Sequence, residues 1–316
     1  MNDPLVSIVV CTHNRSAMLK YTMETVFKQQ YKPVELLVVD DGSTDNTKEL
    51  IESYGDGVKY FRHDNQGIAA TRSIGCQLAK GEYIAFQDDD DLMPPERINY
   101  LYEALCQYPD AVLAVGDWEV IDSEGNLSGR RSKVNFKVNG EEPVLLEDGL
   151  RAVLWPLITP LPHTTLFRKS DGERIGWFDN ERFHHACSDT DFFARLGKMG
   201  PVIYIPKIVS YYRMGHDQIW SKKLLSEYSR ILLFEKHLSS LGTDQEALKK
   251  RIEARVLNYI KRIKYLLDSG VSTPDSKMND DYVRRGLSLL GMKNRLSYKW
   301  YSTIRLPLRN LIKGHE

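Results

Sequence analysis

Through its first 90 residues the chain alternates short apolar runs with longer stretches whose apolar positions recur every three to four residues. The runs are "LVSIVVC" (5–11), "VELLVVD" (34–40), "VKYF" (58–61) and "EYIAF" (82–86), and helical patterns lie between them over 16–30, 44–54 and 68–80. Near-continuous apolar runs mark strands buried on both faces, and strand–helix alternation builds a mostly parallel sheet with helices on either side. In such sheets ligands bind beyond the carboxyl ends of the strands. Thr12, Asp40 with Asp41, and the acidic run Asp88–Asp91 all fall at those ends, so three strand ends converge on one crevice.

Beyond this half the pattern becomes mixed. "AVLAVGDWEVID" (111–122) reads as a strand, and the polar, Gly-containing stretch 123–149 as a hairpin or mobile loop. "HTTLFRK" (163–169) and "VIYI" (202–205) read as strands around a helix near 188–199. From about 221 onward the chain is helical in pattern. Leu224, Tyr228 and Leu232, then Leu248, Ile252, Val256, Ile260 and Ile263 repeat at the spacing of packing helices.

Composition narrows the function. With 316 residues, 42% of them hydrophobic, the chain is long enough for one large or two modest domains. Its 43 basic and 43 acidic residues cancel, which leaves no bulk charge to attract nucleic acid. Cys11, Cys76, Cys106 and Cys187 are dispersed without a CxxC pair, and "MNDPLVSIVVCTHNR" lacks the basic start and long apolar core of a signal peptide. No apolar run approaches the ~20 residues of a spanning helix. The expectation is a cytoplasmic protein with reduced thiols.

The run "QDDDD" (87–91) is the first chemical signal. Four adjacent carboxylates can form a solvated turn, a helix N-cap cluster or a cation site. Carboxylate oxygens suit Mg²⁺ or Mn²⁺, which takes only one or two of them and keeps its other places for phosphate and water. A bound cation would also relieve the repulsion among the four.

"VSIVVCTHNR", "VVDDGSTDNT", "NQGIAATRSIG", "GEYIAFQDDDD", "SDTDFFARL" and "YYRMGH" occur in this order. Together, over residues 5 to about 216, they resemble the motif series of family 2 glycosyltransferases. The resemblance implies a GT-A fold: an α/β, Rossmann-like three-layer domain with a mostly parallel central sheet, followed here by a helical C-terminal region. It places a catalytic domain at 1–220, its nucleotide-sugar half at about 1–115 and its acceptor half at about 116–220, with 221–316 as the helical region and basic tail.

The same resemblance implies roles. Thr12, Asp41 and Arg72 would surround a uracil-like base. Asp90 would hold Mn²⁺ or Mg²⁺, with Asp88 or Asp89 near the ribose or water-bridged to the cation, and Asp91 would cap the following turn. Asp189, in "CSDTDFFARL", corresponds to the general base of the family's "ED" pair, the Glu being replaced by Ser188; Asp191 is the alternative base. Arg213 and His216 of "YYRMGH" would meet phosphate and metal. On the residues themselves, Asp40 is a turn cap, Gly67 and Gly75 are turn and packing positions, and Gln87 and Ser73 depart from the family pattern without removing a reacting group. His184 or His185 is an acceptor-pocket residue at most, and Trp118, Trp155 and Trp177 either stack on sugars or fill the core.

The implied activity is inverting transfer of a sugar from a nucleotide-sugar, UDP-linked first and dTDP- or GDP-linked otherwise, to a hydroxyl of a glycan or lipid-linked acceptor in polysaccharide or cell-surface glycan synthesis. Two other classes remain open: a non-catalytic carbohydrate-binding scaffold of the same fold, and a metal-dependent nucleotidyltransferase. The second calls for a Gly-rich, basic phosphate loop after the first strand, which "CTHNRSAM" does not supply. From Lys293 to Lys313 six basic residues interleave with Leu296, Trp300, Ile304, Leu308 and Ile312, broken by Pro307. That segment either docks peripherally on an anionic inner membrane face or packs on the catalytic domain.

Overall fold

The computed structural model describes residues 3–132, 134–155, 157–183, 186–215, 223–238, 241 and 246–269. The chain divides into two compact units, Met1–His184 with Ser188–His216, and His185–Cys187 with Asp217–Glu316.

In the first unit the predicted alternation forms as β1 (Val6–Thr12), α1 (Ser16–Val26), β2 (Val34–Asp40), α2 (Thr47–Glu52), β3 (Lys59–Arg62), α3 (Ile68–Leu78) and β4 (Tyr83–Asp88). The four strands are parallel, in the order β3-β2-β1-β4. Register separates the layers. Val6, Ile8 and Val10 lie beside Val34, Leu36 and Val38 and beside Tyr83 and Ala85, and alternation sends this set to one face. Leu19, Met23 and Val26 of α1 and Ile51 of α2 join the core on that face. The opposite face carries Val9 and Val39, and α3 lies so close to it that a Cβ on Gly75 would stand 2.4 Å from Val9 Cγ1. Every residue of β1 is buried, and each Val or Ile so buried contributes about 1.5–3 kcal/mol.

Two helices are shorter than their patterns because neighbouring turns claim their ends. After α1, Gln29 Nε2 donates to Pro94 O at 2.6 Å and Gln30 N to Pro95 O at 3.0 Å, which ties this segment to the connection after β4. Before α2, Asn14 N donates to Ser43 Oγ at 2.9 Å and Thr44 N to Asn14 Oδ1 at 2.7 Å. Ser43 and Thr44 are thus committed to the β1 loop, and Asp45 Oδ1 receives Thr47 N and Oγ1 at the helix start instead.

The second half contributes α4 (Arg97–Gln107), β5 (Leu113–Ile121), β6 (Leu127–Arg131), β7 (Val144–Leu146), α5 (Gly149–Leu154), β8 (Thr165–Arg168), α6 (Lys169–Ile175), α7 (Asn180–Phe183), α8 (Ser188–Gly197) and β9 (Val202–Arg213). The sheet continues β4-β8-β5-β9-β7, with β8 antiparallel to both neighbours, β9 parallel to β5, and β6 forming the predicted hairpin with β5. β8 is shorter than 163–169 because Pro162–Thr164 forms a 3₁₀ turn. β9 runs far beyond 202–205, since β5 pairs with it through to Ile121–Arg213. Its far end thereby reaches the acidic turn: Leu92 and Tyr211 exchange N–H···O bonds at 3.0 and 2.9 Å.

In the second unit α9 (Lys223–Leu238) and α10 (Glu246–Asp268) pack together, Phe234 stacking on Tyr259. All eight apolar positions with the predicted helical repeat are buried. Among the described residues no helix is long and apolar enough to cross a membrane. His184, His185, His216 and the 293–313 segment lie outside the described residues.

Candidate active site

The parallel strands deliver their polar ends to one edge. Thr12, the last residue of β1, donates from Oγ1 to Asp89 Oδ2 at 2.8 Å. Beyond β2, the Asp41 carboxylate accepts the N–H groups of Gln66 at 2.7 Å and Gly67 at 3.0 Å. Those amides immediately precede α3, whose first turn opens from Gly67 at φ +86°, so Asp41 pins the start of the helix that carries Arg72. Arg72 Nη2 then donates to Asp88 Oδ1 at 2.8 Å. Asp40 serves the turn, accepting from Ser43 N at 2.8 Å and Tyr60 OH at 2.5 Å.

The four acids are not left to repel one another. Arg15 Nη1 lies 3.0 Å from Asp89 Oδ1 and 2.7 Å from Asp90 Oδ2. Asp91 does not cap the following turn as its sequence position implies. Its Oδ1 accepts Arg213 N at 2.7 Å and its Oδ2 lies 2.6 Å from His163 Nδ1, which also contacts Ser210 Oγ at 2.8 Å. Arg213 Nε donates to Asp90 O at 2.8 Å and its Nη1 to the carbonyls of Asp122 and Ser123. Below the turn Arg97, with no exposed surface, donates to Gln87 Oε1 at 2.9 Å and Phe86 O at 2.7 Å, while Gln87 Nε2 donates to the carbonyls of Asp88 and Asp91. Gln87 therefore shapes the acidic loop, which explains a polar residue at an otherwise apolar position.

Electrostatics follow these partners. Burial and the neighbouring Asp90 charge push Asp89 up to about 7, against the pull of Arg15. Burial lifts Asp91 to about 6 despite the attraction of His163. Burial opposes a charge on His163, but Asp91 outweighs it and raises the imidazole above its ordinary value. Asp88 is held below the usual carboxylate range, because the Arg72 charge overcomes burial.

A second acidic pair opens α8. Asp191 is fully buried and accepts from Arg195 Nε at 2.8 Å, and the same guanidinium caps the carbonyls of Ile175, Gly176 and Trp177. Asp189 is half-buried and accepts the adjacent Thr190 N at 2.6 Å. Its charge adds to that of Asp88 in holding the Arg72 guanidinium charged. Trp118 and Trp177 make ring contacts inside the fold, with Tyr212 and Phe192 respectively.

Residues 7–176, more than half of the chain, match the family model for glycosyl transferase family 2. The chain belongs to glycosyltransferase family 2. Glycosyltransferase GlyG of Streptococcus pneumoniae serotype 4 is 26% identical over 280 residues, covering 83% of this chain and 89% of GlyG. An uncharacterized glycosyltransferase of Rickettsia conorii is 28% identical over 251 residues; there the chain spans only 40% of the relative's length. Among solved structures, S. aureus TarS 1-349 in complex with UDP-GlcNAc superposes with a TM-score of 0.59 at 18% identity, covering 94% of this chain and 77% of that one. The mannosyltransferase PcManGT of Pyrobaculum calidifontis, in complex with GDP-Man and Mn²⁺, gives 0.56 at 14% identity, covering 100% and 82%. These likenesses establish the GT-A fold.

In this glycosyltransferase the sheet edge gathers Thr12, Arg72, Asp88, Asp89, Asp90 and Arg213 into one bonded network, and Asp41 braces the helix behind it. His163, Arg15 and Arg97 are the participants that sequence reasoning missed. His163 sat in an apparent strand, and only the 3₁₀ turn and the length of β9 bring it to Asp91. Arg15 had a signal, a cation directly after the first strand end. Asp88, Asp91 and His163 each place one ligand atom within 4.8 Å of the others. Asp91 and His163, however, are 0 and 1% exposed and already paired, whereas the side chains of Asp88 and Asp90 keep 24 and 10% of their surface. Asp88 and Asp90, paired with Arg72 and Arg15, are thus the less buried carboxylates, and oxygen donors of this kind fit Mg²⁺ or Mn²⁺.

Proposed function

We propose that this glycosyltransferase is an inverting, cation-dependent enzyme that moves one sugar from a nucleotide-sugar, a UDP-sugar first, to a hydroxyl of a glycan or lipid-linked acceptor in surface-glycan synthesis. The observation that carries the reading is the convergence of Thr12, Arg72 and Asp88–Asp90 on one strand-end edge, with Asp189 close enough for its charge to act on Arg72. Asp41 and Arg72 meet the base, Asp90 with Asp88 holds Mn²⁺ or Mg²⁺, and Arg213, whose guanidinium frames the turn at Asp90 O, faces the diphosphate. When bound, a divalent cation neutralises the charge that grows on the departing diphosphate.

Asp189 is the general base. A base must reach an acceptor hydroxyl, and Asp189 keeps exposed surface, whereas Asp191 is sealed against Arg195. The neighbour solved with UDP-GlcNAc favours a UDP donor, and the one solved with GDP-Man and Mn²⁺ keeps a GDP donor in play. The protein acts in the cytoplasm, and its basic 293–313 segment rests on the inner membrane face, where lipid-linked acceptors are presented. A panel of UDP-, dTDP- and GDP-sugars, scored for donor hydrolysis and thermal stabilisation with and without Mn²⁺, tests the assignment. Stabilisation by one UDP-sugar that requires Mn²⁺ is the expected result; equal response to all donors without Mn²⁺ overturns it.

A further inference from the structure

Arg15 closes the β1–α1 connection "THNR" and has no part in the donor reading above. Its Nη1 stands between two carboxylates of one turn, 3.0 Å from Asp89 Oδ1 and 2.7 Å from Asp90 Oδ2. The other cations of the site are more deeply buried. Arg72 keeps only 9% of its side-chain surface, and Arg213 is clamped by three main-chain carbonyls and its own N–H to Asp91. Arg15 keeps 30% of its side chain in solvent. It occupies the N-cap position of α1, yet its side chain makes no capping bond, so moving the guanidinium leaves the helix start intact.

A +1 group on the Asp90 carboxylate sits on oxygens that a +2 cation held by Asp88 and Asp90 would take. The two cannot share those oxygens without strong repulsion at this burial, since the attraction each gains from the carboxylates is offset by the other. We infer that Arg15 is the exchangeable counter-ion of the acidic turn: its guanidinium neutralises Asp90, beside Asp89, until a divalent cation takes Asp90, and the displaced guanidinium then serves the diphosphate of the donor. The inference rests on the cation site proposed above. A planar guanidinium matches phosphate oxygens as well as carboxylate oxygens, so the displaced group meets an equivalent partner when nucleotide arrives with the cation. Arg15 thereby disfavours cation alone and favours cation with diphosphate. Reciprocity of coupled binding then makes each ligand raise the affinity for the other.

Isothermal calorimetry on the full chain separates the possibilities, with Mn²⁺ alone and then UDP at saturating Mn²⁺ as probes, for wild type, Arg15→Gln, Arg15→Lys and Asp90→Asn. Thermal melting checks that each variant is folded. Arg15→Gln should bind Mn²⁺ alone about tenfold more tightly and UDP with Mn²⁺ about tenfold more weakly than wild type. Arg15→Lys, which keeps the charge and loses the fork, should match wild type for Mn²⁺ alone and Arg15→Gln for UDP. Unchanged or weaker Mn²⁺ binding by Arg15→Gln overturns the counter-ion role while leaving the cation site standing. Mn²⁺ affinity indifferent to Asp90→Asn overturns the cation site, and the inference with it.

Discussion

Asp90 and Asp91 are neighbours in the chain, carry the same charge and end in opposite situations. Asp90 leans on Arg15, a loop side chain still partly in water. Asp91 has no exposed surface and takes the main-chain N–H of Arg213, 122 positions further on, and the imidazole of His163. The α8 acids repeat the contrast: Asp191 is sealed by Arg195, and Asp189 keeps exposed surface. In each cluster one acid locks two parts of the fold together without exposed surface, while its neighbour keeps some, 10% of the side chain for Asp90. An acidic motif is therefore not a uniform ligand set. Its members are divided by which distant residue reaches them.

The division breaks first if the wrong member of the α8 pair carries the chemistry. Asp189→Asn should lower sugar transfer about 10²–10⁴-fold with donor affinity nearly unchanged, because the acceptor proton must then leave to water. Asp191→Asn should act mainly on stability. Turnover and donor calorimetry on both variants decide between them, and an inactive Asp191→Asn beside an active Asp189→Asn would reverse the assignment.

At the acidic turn, Asp91→Asn should destabilise the fold by about 3–5 kcal/mol, since it leaves a buried His163 without its counter-charge. Urea unfolding monitored by circular dichroism measures this. Asp90→Asn is the matched partner. It should cost little in the same unfolding experiment and weaken Mn²⁺-dependent UDP binding about 10–100-fold, by the loss of one direct oxygen ligand. A surface ion pair sets the lower bound of the scale. Lys48 and Glu52 stand 3.7 Å apart, each with 59% of its side chain exposed, and Lys48→Ala should shift stability by only about 0.3–0.5 kcal/mol.

Much of residues 5–91 was legible from residue order. The four parallel strands formed within a residue or two of their apolar runs, and the polar residues at their ends share one edge, because periodicity and burial are local properties of the chain. Helix ends were less legible, since Gln29 and Ser43 are claimed by other loops. The resemblance singled out Thr12, Arg72, Asp88 and Asp90, and the fold brings all four to one strand-end edge, where Thr12 meets Asp89, Arg72 meets Asp88 and Arg15 meets Asp90.

What residue order alone determined was the sheet, the crevice and the presence of surplus carboxylate at its rim. The tertiary structure decided how that charge is shared. A run of four Asp gives no sign of which carboxylate will be sealed and which will stay open, because that depends on the 12-residue length of β9, the 3₁₀ turn that carries His163, and the reach of Arg15 and Arg97. Arg15 lies 74 and 75 positions from the acids it meets, and Arg213 of β9 lies 122 and 123 positions from its own. Periodicity fades over a few turns, whereas an ion pair in a buried crevice needs only that two side chains meet in space.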